Sequence, residues 1–307
     1  MLTFYKTQEG RMQQLSACEP GCWVHCVAPT DDEVSRLIDH LKIEPDFFRA
    51  ALDEEESPHI DQEDACTLIM VDIPTVLKEE DGLTYSTRPL GLILTEKNVV
   101  TVSLYENPLF DEFADGAVKD VQTNLKTRFV LQWMLRIASR YLLYLKQIDR
   151  TSDQLEEEVR KSMKNNELIR LLNIEKSLMY FSSSLKQNEI TLEKIMRGRA
   201  VKLYDEDQDL LEDVLIEVKQ AIDMANIHLN VLSGTMDAFA SLINNNMNNV
   251  MKILASITLI ISIPTVVSGI WGMTVGNLPS ENFWGPMRVT ILAMIGSAGG
   301  RRRKNMI

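Results

Sequence analysis

Residues 253–272 read ILASITLIISIPTVVSGIWG, twenty residues without an Asp, Glu, Lys or Arg. At about 1.5 Å of rise per residue, a helix of that length covers a bilayer core of about 30 Å. Buried helices of soluble proteins seldom stay uncharged beyond about 14 residues. Lys252 marks one edge of the stretch, and Trp271 suits the opposite interface. The chain therefore reads as a membrane protein whose first transmembrane helix is 253–272.

Downstream, Phe283–Gly300 makes a second, shorter span, assigned to 285–300. It contains Pro286 and Arg288, so only Val289–Gly300 is free of charge. Twelve helical residues cover about 18 Å. Arg288 can snorkel outward, and Arg301–Lys304 would anchor the end in a basic tail, 301–307. The connecting loop, 273–284, has no Lys or Arg. The charge bias places it outside, with both termini cytoplasmic. The opening MLTFYKTQEGRMQQ lacks the apolar core of a signal peptide.

Upstream, 118–272 contains no proline before Pro264 and is rich in helix formers. Apolar residues recur at spacings of three and four through Phe129, Trp133, Ile137, Tyr141, Tyr144 and Ile148. This predicts helices over 118–164, 167–199 and 207–272. The last would be about 66 residues long, roughly 100 Å, too long for the core of a compact domain. The layout expected is a pair of long antiparallel helices over 121–206, a stalk over 207–252, and then the span.

The first 120 residues alternate short strands with short helices. Gly21–Val27, Ala65–Ile73, Leu90–Thr95 and Asn98–Ser103 read as strands, the last two forming a hairpin at Glu96-Lys97. Thr30-x-x-Glu33 is a capping box that opens a helix ending near Lys42. The fold class is thus α+β and mostly α: a cytoplasmic α/β domain, a helical stalk and two C-terminal transmembrane helices.

Composition narrows the function. The chain carries 32 Lys+Arg against 44 Asp+Glu, a net charge of −12. Lys252, Arg288, Arg301, Arg302, Arg303 and Lys304 against Glu281 give residues 251–307 a charge of +5, which leaves −17 for 1–250. So acidic a body repels nucleic acid and attracts cations. No phosphate-binding loop, His-Glu-x-x-His or Gly-x-Ser-x-Gly motif occurs. The four histidines, His25, His40, His59 and His228, form no i, i+4 pair. An enzyme and an organic cofactor are not expected. Cys18, Cys22 and Cys26 do not have zinc-knuckle spacing and read as cysteines around a buried strand.

One face of the long helix is informative. Steps of four and three pick out Asn230, Gly234, Asp237, Ser241, Asn244, Asn248, Met251, Ala255, Thr258, Ser262, Thr265 and Gly269. An adhesive seam would be Leu or Ile. Small and polar side chains running into a bilayer indicate close packing or a wet path, and the cytoplasmic amides favour the path. One helix encloses no pore, so such a path needs a symmetric ring of copies. Hydroxyl, amide and carbonyl oxygens suit Mg2+, which keeps its waters and takes weak outer-sphere contacts. A non-conducting coiled-coil membrane anchor is the competing reading, and it would call for an apolar seam.

Gly269-Ile270-Trp271-Gly272-Met273-Thr274, preceded by Asn248-x-x-Met251-Lys252, resembles the CorA family of magnesium transporters. The likeness extends over most of the chain, from the α/β module to the basic tail. It implies a homopentameric channel of the plasma membrane, with Mg2+ as both cargo and regulator. The family closes its first span with Gly-Met-Asn; here Gly272 and Met273 match, and Thr274 replaces the asparagine amide with a shorter hydroxyl. That change leaves Zn2+, Co2+ or Ni2+ as alternative cargo, and Asn277 is a nearby amide. By superposition of signatures, Asn248, Met251, Leu254, Thr265 and Gly269 are expected at pore-lining positions, joined by Asn244, Thr258 and Ser262 of the seam. The family pairs acids at the start of the stalk with acids of the adjacent subunit to hold regulatory metal. Here that implies Asp213, then Asp209, facing Asp53 or its neighbours up to Glu56.

Overall fold

The computed structural model describes every residue except 64, 80–81, 163–164, 199–200, 272–286 and 296–307. The chain divides into two compact units, Met1–Ser233 and Gly234–Ile307.

The first unit is built on a seven-stranded sheet in the order β2-β1-β3-β7-β6-β5-β4. Its strands are β1 Leu2–Gln8, β2 Arg11–Leu15, β3 Trp23–Val27, β4 Ile60–Glu63, β5 Cys66–Glu79, β6 Gly82–Leu94 and β7 Val99–Ser103. Only β3 and β7 pair in parallel; the remaining neighbours are antiparallel. The expected hairpin at Glu96-Lys97 joins β6 to β7. Three strands go beyond the sequence reading. Polar β1 and β2 are joined by Glu9 and Gly10, both at positive φ (52° and 77°), the two-residue turn whose twist matches a hairpin. The third, β4, covers only the first residues of β5.

The expected end of β5 at Pro74 does not occur: the strand continues, with Pro74 opposite Thr87. The reason is position. Beyond Ile69, β4 no longer pairs with β5, so Pro74 has an open edge on one side, where its missing N–H is tolerated.

Helices cover both faces. Helix α1, Asp31–Leu41, starts at the predicted capping box: Glu33 N donates to Thr30 Oγ1 (3.3 Å) and Thr30 N to the Glu33 carboxylate (3.0 Å). With α2, Pro45–Ala51, it packs Leu37, Phe47, Phe48 and Ala51 against Cys22, Val24, Cys26, Val100 and Val102. The alternate residues of β3 point to the opposite face. There Trp23 meets Phe113 of α3 (Pro108–Ala114) and Phe129 and Trp133 of α4 (Lys126–Ser162). Phe113 and Trp133 stack at 4.0 Å, a pairing that adds about 1 kcal/mol beyond burial. The helix expected from 118 therefore starts at Lys126, because Asp120 sits at positive φ (56°) in the connection from α3.

Helix α5, Asn165–Met196, returns along α4, and a 3₁₀ turn at Asp205–Asp207 leads into α6, Gln208–Trp271. In its first part α6 buries Leu211, Val214, Val218, Ala221, Ile222 and Ala225 at helical spacing. Ser182 of α5 donates to Asn226 (2.8 Å), and His228 pairs with Asp149 of α4 (3.1 Å).

The second unit contains the rest of α6 and a further helical stretch at 287–295. Among the described residues α6 is the one helix long and apolar enough to cross a membrane. Its best 18-residue window has a mean hydropathy of 2.2 and is 11% buried, unlike the core helix of a soluble protein. Residues 285–286 and 296–300 of the short second span, the loop 273–284 and the tail 301–307 lie outside the described residues.

Candidate functional site

Pro264 lies inside α6, where it cannot donate to the carbonyl four residues earlier, yet the helix runs on to Trp271. All the seam positions from Asn230 to Gly269 are exposed in the single chain, as is Leu254. The polar stripe is therefore an uncovered surface of the helix. Ser256, which interrupts the apolar sequence just beside the stripe, is buried instead.

The hydroxyls on the stripe have a definite polarity. Thr258 Oγ1 donates to Leu254 O (2.9 Å), Ser262 Oγ to Leu259 O (2.8 Å) and Thr265 Oγ1 to Ile261 O (3.5 Å). Each proton is turned back onto the helix, so each oxygen presents lone pairs outward. Over 241–269 such a surface accepts hydrogen bonds from the waters around a cation and offers no carboxylate to trap the ion. Met251 and Leu254, 58% and 55% exposed, form an apolar interval between these hydroxyls and Asn244 and Asn248.

Sequence periodicity missed part of this surface. Asn245, Asn246 and Asn249 are as exposed as Asn244 and Asn248, so amides surround the helix over 244–249. The signal was the asparagine run itself, which a single-face count divides. Gly272, Met273 and Thr274 lie outside the described residues, as does Asn277.

The acidic candidates are less concentrated. Asp209 and Asp213 are exposed one turn apart on α6, and Asp53 is exposed after α2. Asp53 accepts from Glu55 N (2.9 Å). Glu54 is committed elsewhere: it takes a hydrogen bond from Tyr105 and pairs with Arg88 (2.5 Å), whose guanidinium lies over the Tyr105 ring. Those two donors, Tyr105 first, hold its carboxyl below the usual range. Glu56 lies 3.5 Å from His59. Among the described residues no three His, Cys, Asp or Glu side chains converge as a metal cluster. One chain thus does not bring Asp209, Asp213 and Asp53 into a complete site. Nor do Cys18, Cys22 and Cys26 assemble one, since Cys22 and Cys26 are packed into the core.

Comparison with known proteins agrees with this architecture. The family description "CorA-like Mg2+ transporter protein" matches residues 19–301. The cobalt/magnesium transport protein CorA of Methanocaldococcus jannaschii is 28% identical over 286 residues, 89% of this chain and 87% of that protein. Its counterpart from Thermotoga maritima is 22% identical over 269 residues, 86% of this chain and 76% of that one. The complete structure of the M. jannaschii CorA magnesium transporter superposes with a TM-score of 0.84 at 24% identity, covering 100% of this chain and 99% of that one.

Proposed function

Because the chain belongs to the CorA-like Mg2+ transporter family, we propose that it carries divalent cations, Mg2+ first among them, passively across the membrane along the polar face of α6. The observation that carries this reading is the outward-facing row of acceptor oxygens at Thr258, Ser262 and Thr265, continuous in register with Asn248 and Gly269 on one uncovered helix surface. A hydrated Mg2+ presents water protons, and a row of hydroxyl acceptors matches them without stripping the shell. Several copies of the chain enclose the path, five by the family resemblance. Moving a divalent cation inward across about 100 mV releases roughly 4.6 kcal/mol, twice the single-charge value, so no nucleotide is required.

Regulation is proposed at the subunit boundary. Asp209 and Asp213 of one copy face Asp53 of the next, and bound cation there keeps the path shut until internal Mg2+ falls. Among the described residues the acids of one chain form no complete metal cluster, which leaves ligands for a neighbour to supply. The relatives' names include cobalt, and Thr274 at the altered signature position makes Co2+, Zn2+ and Ni2+ the cargoes to compare with Mg2+.

The test is ion uptake by proteoliposomes holding the purified protein, native and Thr274→Asn side by side. Mg2+ uptake by the native chain is the expected result. Uptake by the Asn variant alone assigns Thr274 to selectivity. No uptake of any divalent ion by either, with the protein correctly inserted, overturns the transport reading.

A further inference from the structure

The sulfur atoms of Cys18 and Cys22 lie 3.7 Å apart on the segment leading into β3. Both are free thiols, and their surroundings differ in a useful way. Cys22 is wholly buried and held in place, since Asn98 Nδ2 donates both to its sulfur (3.1 Å) and to its carbonyl (3.2 Å). Cys18 is half-buried and lines a cavity of about 440 Å³ together with His40, Lys42, Lys97 and Asn98. One thiol is therefore anchored, and its partner is reachable by a small solute.

We propose that Cys18 and Cys22 are a reversible oxidation site, closing to an intrachain disulfide with two-electron thiol oxidants such as peroxides. The Cys18 sulfur attacks the peroxide; a sulfur–oxygen bond forms, the oxygen–oxygen bond breaks and one water leaves. The Cys22 sulfur then displaces the second oxygen as water, forming the sulfur–sulfur bond. Two thiols lose two electrons, and their two protons end in the two waters. The Asn98 amide aimed at Cys22 steadies the negative charge that sulfur carries as it attacks. A disulfide needs the sulfurs at about 2.05 Å, and the half-exposed Cys18 is the partner free to close that distance. Burial, then the neighbouring Cys22, pushes the Cys18 thiol up to about 12. The reaction is accordingly slow at neutral pH and accelerates as pH rises.

The experiment uses the full-length protein in detergent, treated with hydrogen peroxide, quenched with acid, denatured, alkylated and digested with trypsin. The tryptic peptide Met12–Arg36 contains Cys18, Cys22 and Cys26. Oxidation is expected to leave one alkylated cysteine in it, Cys26, with the other two joined and the peptide about 2 Da lighter before alkylation. Dithiothreitol restores all three, Cys18→Ser abolishes the change, and Cys22→Ala does the same as an independent variant. Three alkylated cysteines after oxidation, a disulfide between two chains, or a Cys18–Cys26 pairing would each overturn the proposal.

Discussion

Asn188 of α5 takes the place of a missing strand beside Asp72 of β5: its Oδ1 accepts from Asp72 N (2.9 Å), and its Nδ2 donates to Asp72 O (2.8 Å). Here β4 has stopped pairing, and Pro74 lies two residues on. One amide reproduces both hydrogen bonds of a neighbouring strand at an edge otherwise left open. Tyr141 adds a third bond by donating to Asp72 O (3.1 Å).

Asn188→Ala should therefore destabilise the first unit by about 1–3 kcal/mol, the cost of leaving a part-buried backbone N–H without a partner. Tyr141→Phe should cost less, about 1 kcal/mol, because Asp72 O keeps its bond from Asn188. Thermal unfolding of the two variants in detergent checks the order; equal losses would contradict it.

Gly91 is required by a close approach, not by its backbone angles. A Cβ there would come within 2.6 Å of the Ala51 Cβ, where α2 lies on β6. Gly91→Ala should cost about 1–3 kcal/mol through forced displacement of α2. The double variant with Ala51→Gly should recover part of that loss, measured by the same unfolding transition.

His25 gives the first unit a pH dependence. It lies against Phe110 with ring centroids 4.4 Å apart and Nδ1 3.1 Å from Thr101 Oγ1, and burial lowers its pKa from 6.5 to about 4. Between those values the unfolded chain binds a proton that the folded chain refuses. Stability is then full above pH 6.5 and declines as pH falls towards 4, by at most about 3 kcal/mol. Unfolding followed from pH 7.5 to 4 should show this slope, and His25→Gln should flatten it.

Neighbouring positions test the proposed conduction face against the rest of the span. Thr265 and Val266 are both exposed, but only Thr265 belongs to the polar stripe. Thr265→Leu should reduce Mg2+ uptake by about tenfold or more, since it replaces an acceptor in every copy around the proposed path. Val266→Leu should leave uptake near the native value. Equal effects would remove the stripe as the route.

Several features were legible in the chain itself because their causes are local. The capping box at Thr30 and Glu33 needs only three residues' separation, the periodicity from Phe129 to Ile148 is the geometry of one helix, and the apolar length of α6 follows from hydropathy. The parallel β3–β7 pairing, the passage of β5 through Pro74 and the edge closure by Asn188 were decided only in the tertiary structure. Each depends on partners up to 116 residues apart. The same limit applies to the site. Spacing marked out the polar stripe on α6, but which way its hydroxyls point, and that Ser256 beside it is buried, rest on backbone geometry and packing. Likewise the acids at 53, 209 and 213 could be named from charge and resemblance, whereas Glu54 belongs to Arg88 and Tyr105 because the folded sheet brings β6 and the segment after β7 to the end of α2. Sequence spacing states which side chains share an element, and only packing between elements decides what each one meets.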